Sequence, residues 1–286
     1  MSELIRQKIL KSIDDMPSLP LTALKILRLA NDINSSPQDM LDTIKVDPVI
    51  TGKVLQMINS SYFGLSANVT DLRQALVMLG ANTVKNLALT SALLNTMKSK
   101  GSGNERLDLD GLWLHSLATA VGAKIIAKAA GLPRLQHDEF FIIGLLHDIG
   151  RIFSFQFLAD EYVAAIDKAA NENLDISEAE SAILSMTATE AGGLLAEKWQ
   201  LPENMLNGIK YYRKPEDAGE YEKICSIVSI ASYFATTKGI GWDDGLIVAE
   251  PSDKTLEIAG VTLSKLEDPL MVMYEEIEKA KSFIQE

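Results

Sequence analysis

The run Glu139-Phe140-Phe141-Ile142-Ile143-Gly144-Leu145-Leu146-His147-Asp148-Ile149-Gly150-Arg151 decides how this chain reads. Apolar or small residues from Phe140 to Leu146 lead directly into an imidazole and a carboxylate side by side. Burying that pair without partners is costly. Neighbouring helical positions point about 100° apart, so the two side chains converge only if the helix ends there. Gly150 permits such an ending. A strong hydrogen-bond partner or a metal ion between the two would remove the penalty. Asp138 is placed to cap the start of the run.

Outward from this run, a second histidine lies in Leu112-Trp113-Leu114-His115-Ser116-Leu117, early in another apolar helical stretch. One histidine on one helix and a His-Asp pair on another make half of a metal site, because imidazole and carboxylate suit divalent cations. Taken alone, His115 reads first as a hydrogen-bonded core residue, the commoner fate of a lone histidine in an apolar helix. His137, at a polar helix start, reads as a surface residue. Arg151 could meet a phosphate, or could pair with a nearby acid, the commoner fate of such a residue.

The surrounding punctuation is helical throughout. Ser36-Pro37 with Asp39, Asp47-Pro48 and Thr70-Asp71 open helices, and Gly80 and Gly131 close them. Ser177 with Glu180 reads as a capping box. Apolar residues recur at helical spacing, as in Leu72, Leu76 and Leu79, and no alternating strand pattern stands out. The expected fold class is all-α, with about a dozen helices. Lys98 to Gly111 is Gly/Ser-rich and then charged, which places a boundary between an N-terminal bundle at 1–100 and a second helical part at 108–286. Lys238 to Asp253 reads as a long exposed loop. Asn59 to Phe63 reads as a helix stop with an aromatic plug, or as part of a ligand-facing surface. Cys225, in an apolar helical context, reads as an inert core thiol.

Composition excludes several functions. The 286 residues carry 39 acidic against 27 basic side chains, a net charge of −12, with one cysteine and three histidines. An internal disulfide and a cysteine-rich metal site are excluded. The negative balance argues against nucleic acid as a partner. The charged N-terminus is unlike a secretory signal, and apolar runs such as Phe140–Leu146 fall short of the ~20 residues a membrane span needs. The expected setting is cytoplasmic, with no membrane partner.

The pairing of His115 with His147-Asp148-Ile149-Gly150 resembles the HD superfamily of metal-dependent phosphohydrolases. The N-terminal half is more specific. Met16-Pro17-Ser18-Leu19-Pro20, Val46-Asp47-Pro48, Ile58-Asn59-Ser60-Ser61-Tyr62-Phe63-Gly64 and Gln74-Ala75-Leu76-Val77-Met78-Leu79-Gly80 occur in order and closely resemble the HDOD domain, the HD-related output domain of bacterial signalling proteins. The resemblance covers residues 10 to 240. It implies an N-terminal helical bundle packed on an HD-like half, and a regulatory module in place of an established enzyme.

The resemblance also implies a depleted ligand set. His115, His147 and Asp148 match the first histidine and the HD dyad. The late aspartate of active HD enzymes falls at Ser232, an additional histidine at Ala188, and a His-His pair at Tyr211 and Tyr212. Arg151 stands where HD enzymes usually carry lysine. A serine hydroxyl is a poor substitute for a carboxylate, and a tyrosine ligates only after losing a proton of pKa about 10. His115, His147 and Asp148 are therefore the expected vestigial metal ligands, and Arg151, Ser232, Tyr211 and Tyr212 the expected pocket residues. No resident cofactor is expected. A divalent metal (manganese, iron, magnesium or zinc) is the group the remaining ligands would take. The expected function is non-catalytic signal transduction through a signalling protein, a nucleotide or another small ligand. The alternative is a metal-dependent phosphohydrolase with a reduced ligand set.

Overall fold

The structure, a computed structural model, describes residues 2–31, 35–65, 68–97, 104–242 and 248–284. Its N-terminal part holds α1 (Ser2–Asp15), α2 (Leu21–Asn31), α3 (Pro37–Lys45), α4 (Pro48–Ile58), α5 (Leu72–Leu79) and α6 (Ala81–Met97). There follow α7 (Leu109–Ala129), α8 (Arg134–Leu146), α9 (Ile149–Phe157), α10 (Ala159–Glu172), α11 (Ile176–Leu184), α12 (Ala188–Lys198) and α13 (Glu203–Tyr211). The last helices are α14 (Glu222–Thr237), α15 (Asp253–Ala259), α16 (Leu263–Met271) and α17 (Met273–Ala280), followed by a 3-10 turn at Lys281–Phe283. No strand occurs among the described residues, so the all-α expectation holds. The helices outnumber the expected dozen because long helical windows break, as at His147-Asp148 between α8 and α9 and at Val272 between α16 and α17.

Much of the punctuation acts as expected. Ser36 and Asp39 form a reciprocal capping box, Asp47 accepts from the amides of Val49 and Ile50, and Asp71 caps α5, which ends at Gly80 with φ of 85°. Two caps differ. Asp175, rather than Ser177, opens α11 by accepting from the Ser177 amide, and Glu180 points into the core. The run containing Asp138 starts earlier, at Arg134, so Asp138 lies inside the helix. There it accepts from Thr83 Oγ1 at 2.7 Å and from Lys124 Nζ at 3.0 Å.

One apolar core runs through both parts of the chain. At its centre α7 is buried on nearly every side, as expected of a helix apolar all round, and packs on α8, α14, α16 and α17. α8 and α9 include an apolar helical stretch, Gln136–Phe157, long enough to cross a membrane by length and composition, but 89% of its most apolar 18 residues are buried inside the protein. An aromatic cluster joins the parts: the Tyr62 ring lies 4.9 Å from Phe141, Phe141 lies 5.1 Å from Phe283, and Lys124 Nζ sits 4.4 Å from the Tyr62 centroid. Asn59 ties the loop behind it, donating to the Val69 carbonyl and accepting from the Val69 amide. The Asn59–Phe63 motif is thus a helix stop and aromatic plug.

α1 seats Ile9 and Ile13 in the core against α11 and α12. Lys198 Nζ donates to the Ile13 carbonyl at 2.8 Å, and Trp199 Nε1 to the Pro17 carbonyl at 3.2 Å. The exposed-loop expectation for Lys238–Asp253 fails at its start. Ile240 and Trp242 are buried, with Trp242 edge-on to Phe155 at 4.8 Å. Residues 243–247 of that loop, and 98–103 of the expected boundary segment, lie outside the described residues.

Candidate functional site: the histidine–aspartate cluster

The backbone leaves the helical path at Asp148, with φ of −102° and ψ of 19°, between the end of α8 and the start of α9. A close crossing makes room for this turn. A Cβ on Gly150 would lie 1.9 Å from the Ala188 carbonyl oxygen and 2.4 Å from the Gly192 amide, so only glycine lets α9 start against α12. Across the cluster, Gly241, with φ of 85°, brings backbone against α7, where an added Cβ would lie 2.5 Å from the His115 amide. The two helices and this loop enclose His115, His147 and Asp148.

Their exposures are 3%, 1% and 2%, and that of Arg151 is 4%. His147 Nε2 lies 3.5 Å and His115 Nε2 3.8 Å from the same carboxylate oxygen, Asp148 Oδ2, with the rings 5.5 Å apart. Ser232 Oγ lies 3.5 Å from His115 Nε2. His147 Nδ1 stands 2.7 Å from the Gly144 carbonyl. A carbonyl only accepts, so Nδ1 carries the proton and donates. Burial pushes the pKa of His147 down, and that of His115 down to about 3, outweighing the opposing pull of Asp148. Neutral His147 therefore aims a bare lone pair at Asp148 Oδ2, and Nε2 has no hydrogen-bond partner.

Protein donors already hold Asp148. Tyr212 Oη donates to Oδ1 at 2.7 Å, and Arg151 Nη1 donates to Oδ2 at 2.8 Å. Burial alone would raise the Asp148 pKa, but the Arg151 guanidinium, then the two histidines, hold it well below the usual carboxylate range. Behind Arg151 the bonds continue. Its Nε donates to Tyr162 Oη at 3.0 Å, Tyr162 donates to Glu180 Oε1 at 2.6 Å, and the Ala188 amide donates to Glu180 Oε2 at 2.8 Å. Arg213 Nε donates to Tyr212 Oη at 3.1 Å and its guanidinium faces Asp175 at 3.5 Å.

The structure thus brings together His115, His147, Asp148, Arg151, Tyr212 and Ser232 from the expected set. Tyr211 does not join them. Its ring faces Lys210, whose Nζ is 5.5 Å from the centroid, because adjacent residues at the end of α13 point different ways. His137 is half-buried and pairs with the Leu132 carbonyl at 2.8 Å. Sequence reasoning missed Tyr162, Glu180 and Arg213. Glu180 left a signal: it occupies the apolar stripe Ile176, Ala179, Leu184, where a charged residue needs a buried partner.

A family profile for the HDOD domain matches residues 16–215. The chain belongs to the HDOD family. Among solved structures, this HDOD domain is similar to an HDOD domain protein of unknown function from Geobacter sulfurreducens, at 22% identity and a TM-score of 0.79, covering 99% of this chain and 98% of that one. It is also similar to a protein from Shewanella amazonensis SB2B named as a candidate phosphohydrolase, at 25% identity and 0.72, covering 96% and 98%. An uncharacterized protein of Treponema pallidum (strain Nichols) is 27% identical over 221 residues. That match takes in 77% of this chain, which spans 42% of the relative's length. The resemblance to HD phosphohydrolases implies a cation held by histidine and carboxylate. His115, His147 and Asp148 fit one in kind, with ligand atoms all within 4.8 Å of one another, and the unpartnered Nε2 of His147 is the atom that would gain a bond.

Proposed function

We propose that this HDOD domain is a cytoplasmic signal-transduction module that acts by binding a protein partner or a small ligand such as a nucleotide, without turnover of its own. One observation carries the reading. Both oxygens of Asp148 accept hydrogen bonds from protein donors, in a cluster closed to solvent. Each oxygen keeps a second lone pair, but a carboxylate working on a substrate must face that substrate, and at 2% exposure Asp148 has no open side for one. Asp148 instead holds α9, α13 and, through Arg151 and Tyr162, α10 and α11 in register.

The second reading, a metal-dependent phosphohydrolase with a reduced ligand set, is favoured by a different observation. His147 Nε2 faces Asp148 Oδ2 at 3.5 Å and has no hydrogen-bond partner. His115, His147 and Asp148 would hold the cation, which when bound supplies Lewis-acid activation of water. Arg151 and Tyr212 would then keep the carboxylate oriented.

The two are separated by incubating the chelator-treated protein with bis-p-nitrophenyl phosphate and with cyclic dinucleotides, in turn with manganese, magnesium, iron and zinc. No turnover above background is expected under any cation. Hydrolysis that disappears in His147→Ala would sink the first reading in favour of the second.

A further inference from the structure

We infer that the Arg151 guanidinium is the cluster's built-in counter-ion and keeps divalent cations out of the His115–His147–Asp148 site. The inference rests on the non-catalytic reading above. Asp148 is the sole acid in this ligand set. Arg151 Nη1 sits 2.8 Å from Oδ2, the oxygen that also faces both histidine Nε2 atoms. A cation held by those three atoms would share Oδ2 with a fixed positive charge. In a buried setting, like charges a few ångströms apart repel far more than in water. With Arg151 counted, the neutral histidines and Asp148 sum to no net charge, so little remains to attract a dication.

Arg151 is also unable to step aside. Its Nε is tied to Tyr162 Oη at 3.0 Å, Tyr162 is tied to Glu180 at 2.6 Å, and the side chain is buried. A guanidinium does not shed its proton in a protein. Tyr212 occupies the other oxygen but is a neutral phenol, its pKa pushed up by burial. The exclusion therefore depends on charge at Oδ2, not on occupation of the carboxylate as such.

The test is manganese and zinc binding by titration calorimetry, with bound metal counted after dialysis, on the full chain and three variants. The wild type is expected to retain no stoichiometric metal. Arg151→Met is expected to bind one cation per chain at least about tenfold more tightly than wild type, and Arg151→Met combined with His147→Ala to lose it. Tyr212→Phe, which frees Oδ1 but leaves the charge, is expected to match wild type. Arg151→Gln, neutral but still a hydrogen-bond donor, replaces Arg151→Met if the latter fails to melt cooperatively. Tight cation binding by wild type, a folded neutral variant with no gain, or an equal gain in Tyr212→Phe would each overturn the inference. Hydrolysis by wild type would overturn the functional reading instead, whereas tight wild-type binding without hydrolysis would overturn the counter-ion alone.

Discussion

At the level of single residues, Glu180 is the clearest test of how the cluster is held. It accepts from Tyr162 and from the Ala188 amide while fully buried, so Glu180→Ala leaves two donors without partners. Each such orphan costs about 1–3 kcal/mol, and a total loss of about 3 kcal/mol is expected by urea denaturation. Ser177→Ala is expected to stay within about 0.5 kcal/mol, because Asp175 makes the cap. The opposite order would restore the capping-box reading. The contrast marks how far sequence reached. His115, His147 and Asp148 were legible because imidazole and carboxylate in apolar helices demand partners. Arg151 was legible as an ion-pair residue. Tyr162 and Arg213 were not, since a tyrosine in an amphipathic helix and an arginine in the turn after one have ordinary surface uses, and only their partners Glu180 and Tyr212 show them turned inward.

At the level of elements, the crossing of α9 over α12 sets the geometry. Gly150→Ala would drive a Cβ to 1.9 Å from the Ala188 carbonyl, against backbone that cannot swing aside. The variant is expected to lose more than about 3 kcal/mol, in the range reserved for overpacked cores and displaced backbone, with a lowered thermal midpoint as the readout. Sequence pattern supplied Gly150 as a helix stop, but α9 continues through it from Ile149, and the residue is there for contact. Helix starts at Ser36, Asp47 and Asp71 were legible because their chemistry is local. The burial of Ile240 and Trp242 was not, because a Gly-rich stretch looks the same whether it faces water or is pressed against α7.

At the level of the whole molecule, buried neutral histidines couple folding to acidity. Unfolded imidazoles take up protons below about pH 6.5, whereas folding keeps His115 neutral down to about 3 and shifts His147 the same way. The unfolded state then binds more protons, so stability falls as pH drops, by up to about 1.4 kcal/mol per unit for each histidine. Asp148, held low by Arg151, adds loss in the same direction at lower pH, while Glu180, raised by burial, opposes it. Urea midpoints should decline steadily between pH 7 and pH 4.5. A flat profile across that range would show that the imidazoles are not held neutral.

The placement of the three tryptophans has a consequence for watching this molecule work. All three are buried: Trp113 two residues before His115 on α7, Trp242 beside it through Gly241, and Trp199 at the seam where the N-terminal helix meets α12. Intrinsic fluorescence therefore has two addresses. Replacing Trp199 with phenylalanine leaves a chromophore pair that reports on the enclosure of the histidines, and keeping Trp199 alone leaves one that reports on the docking of α1. A partner or ligand that loosens one of these places without the other would announce which by the variant whose emission shifts to the red.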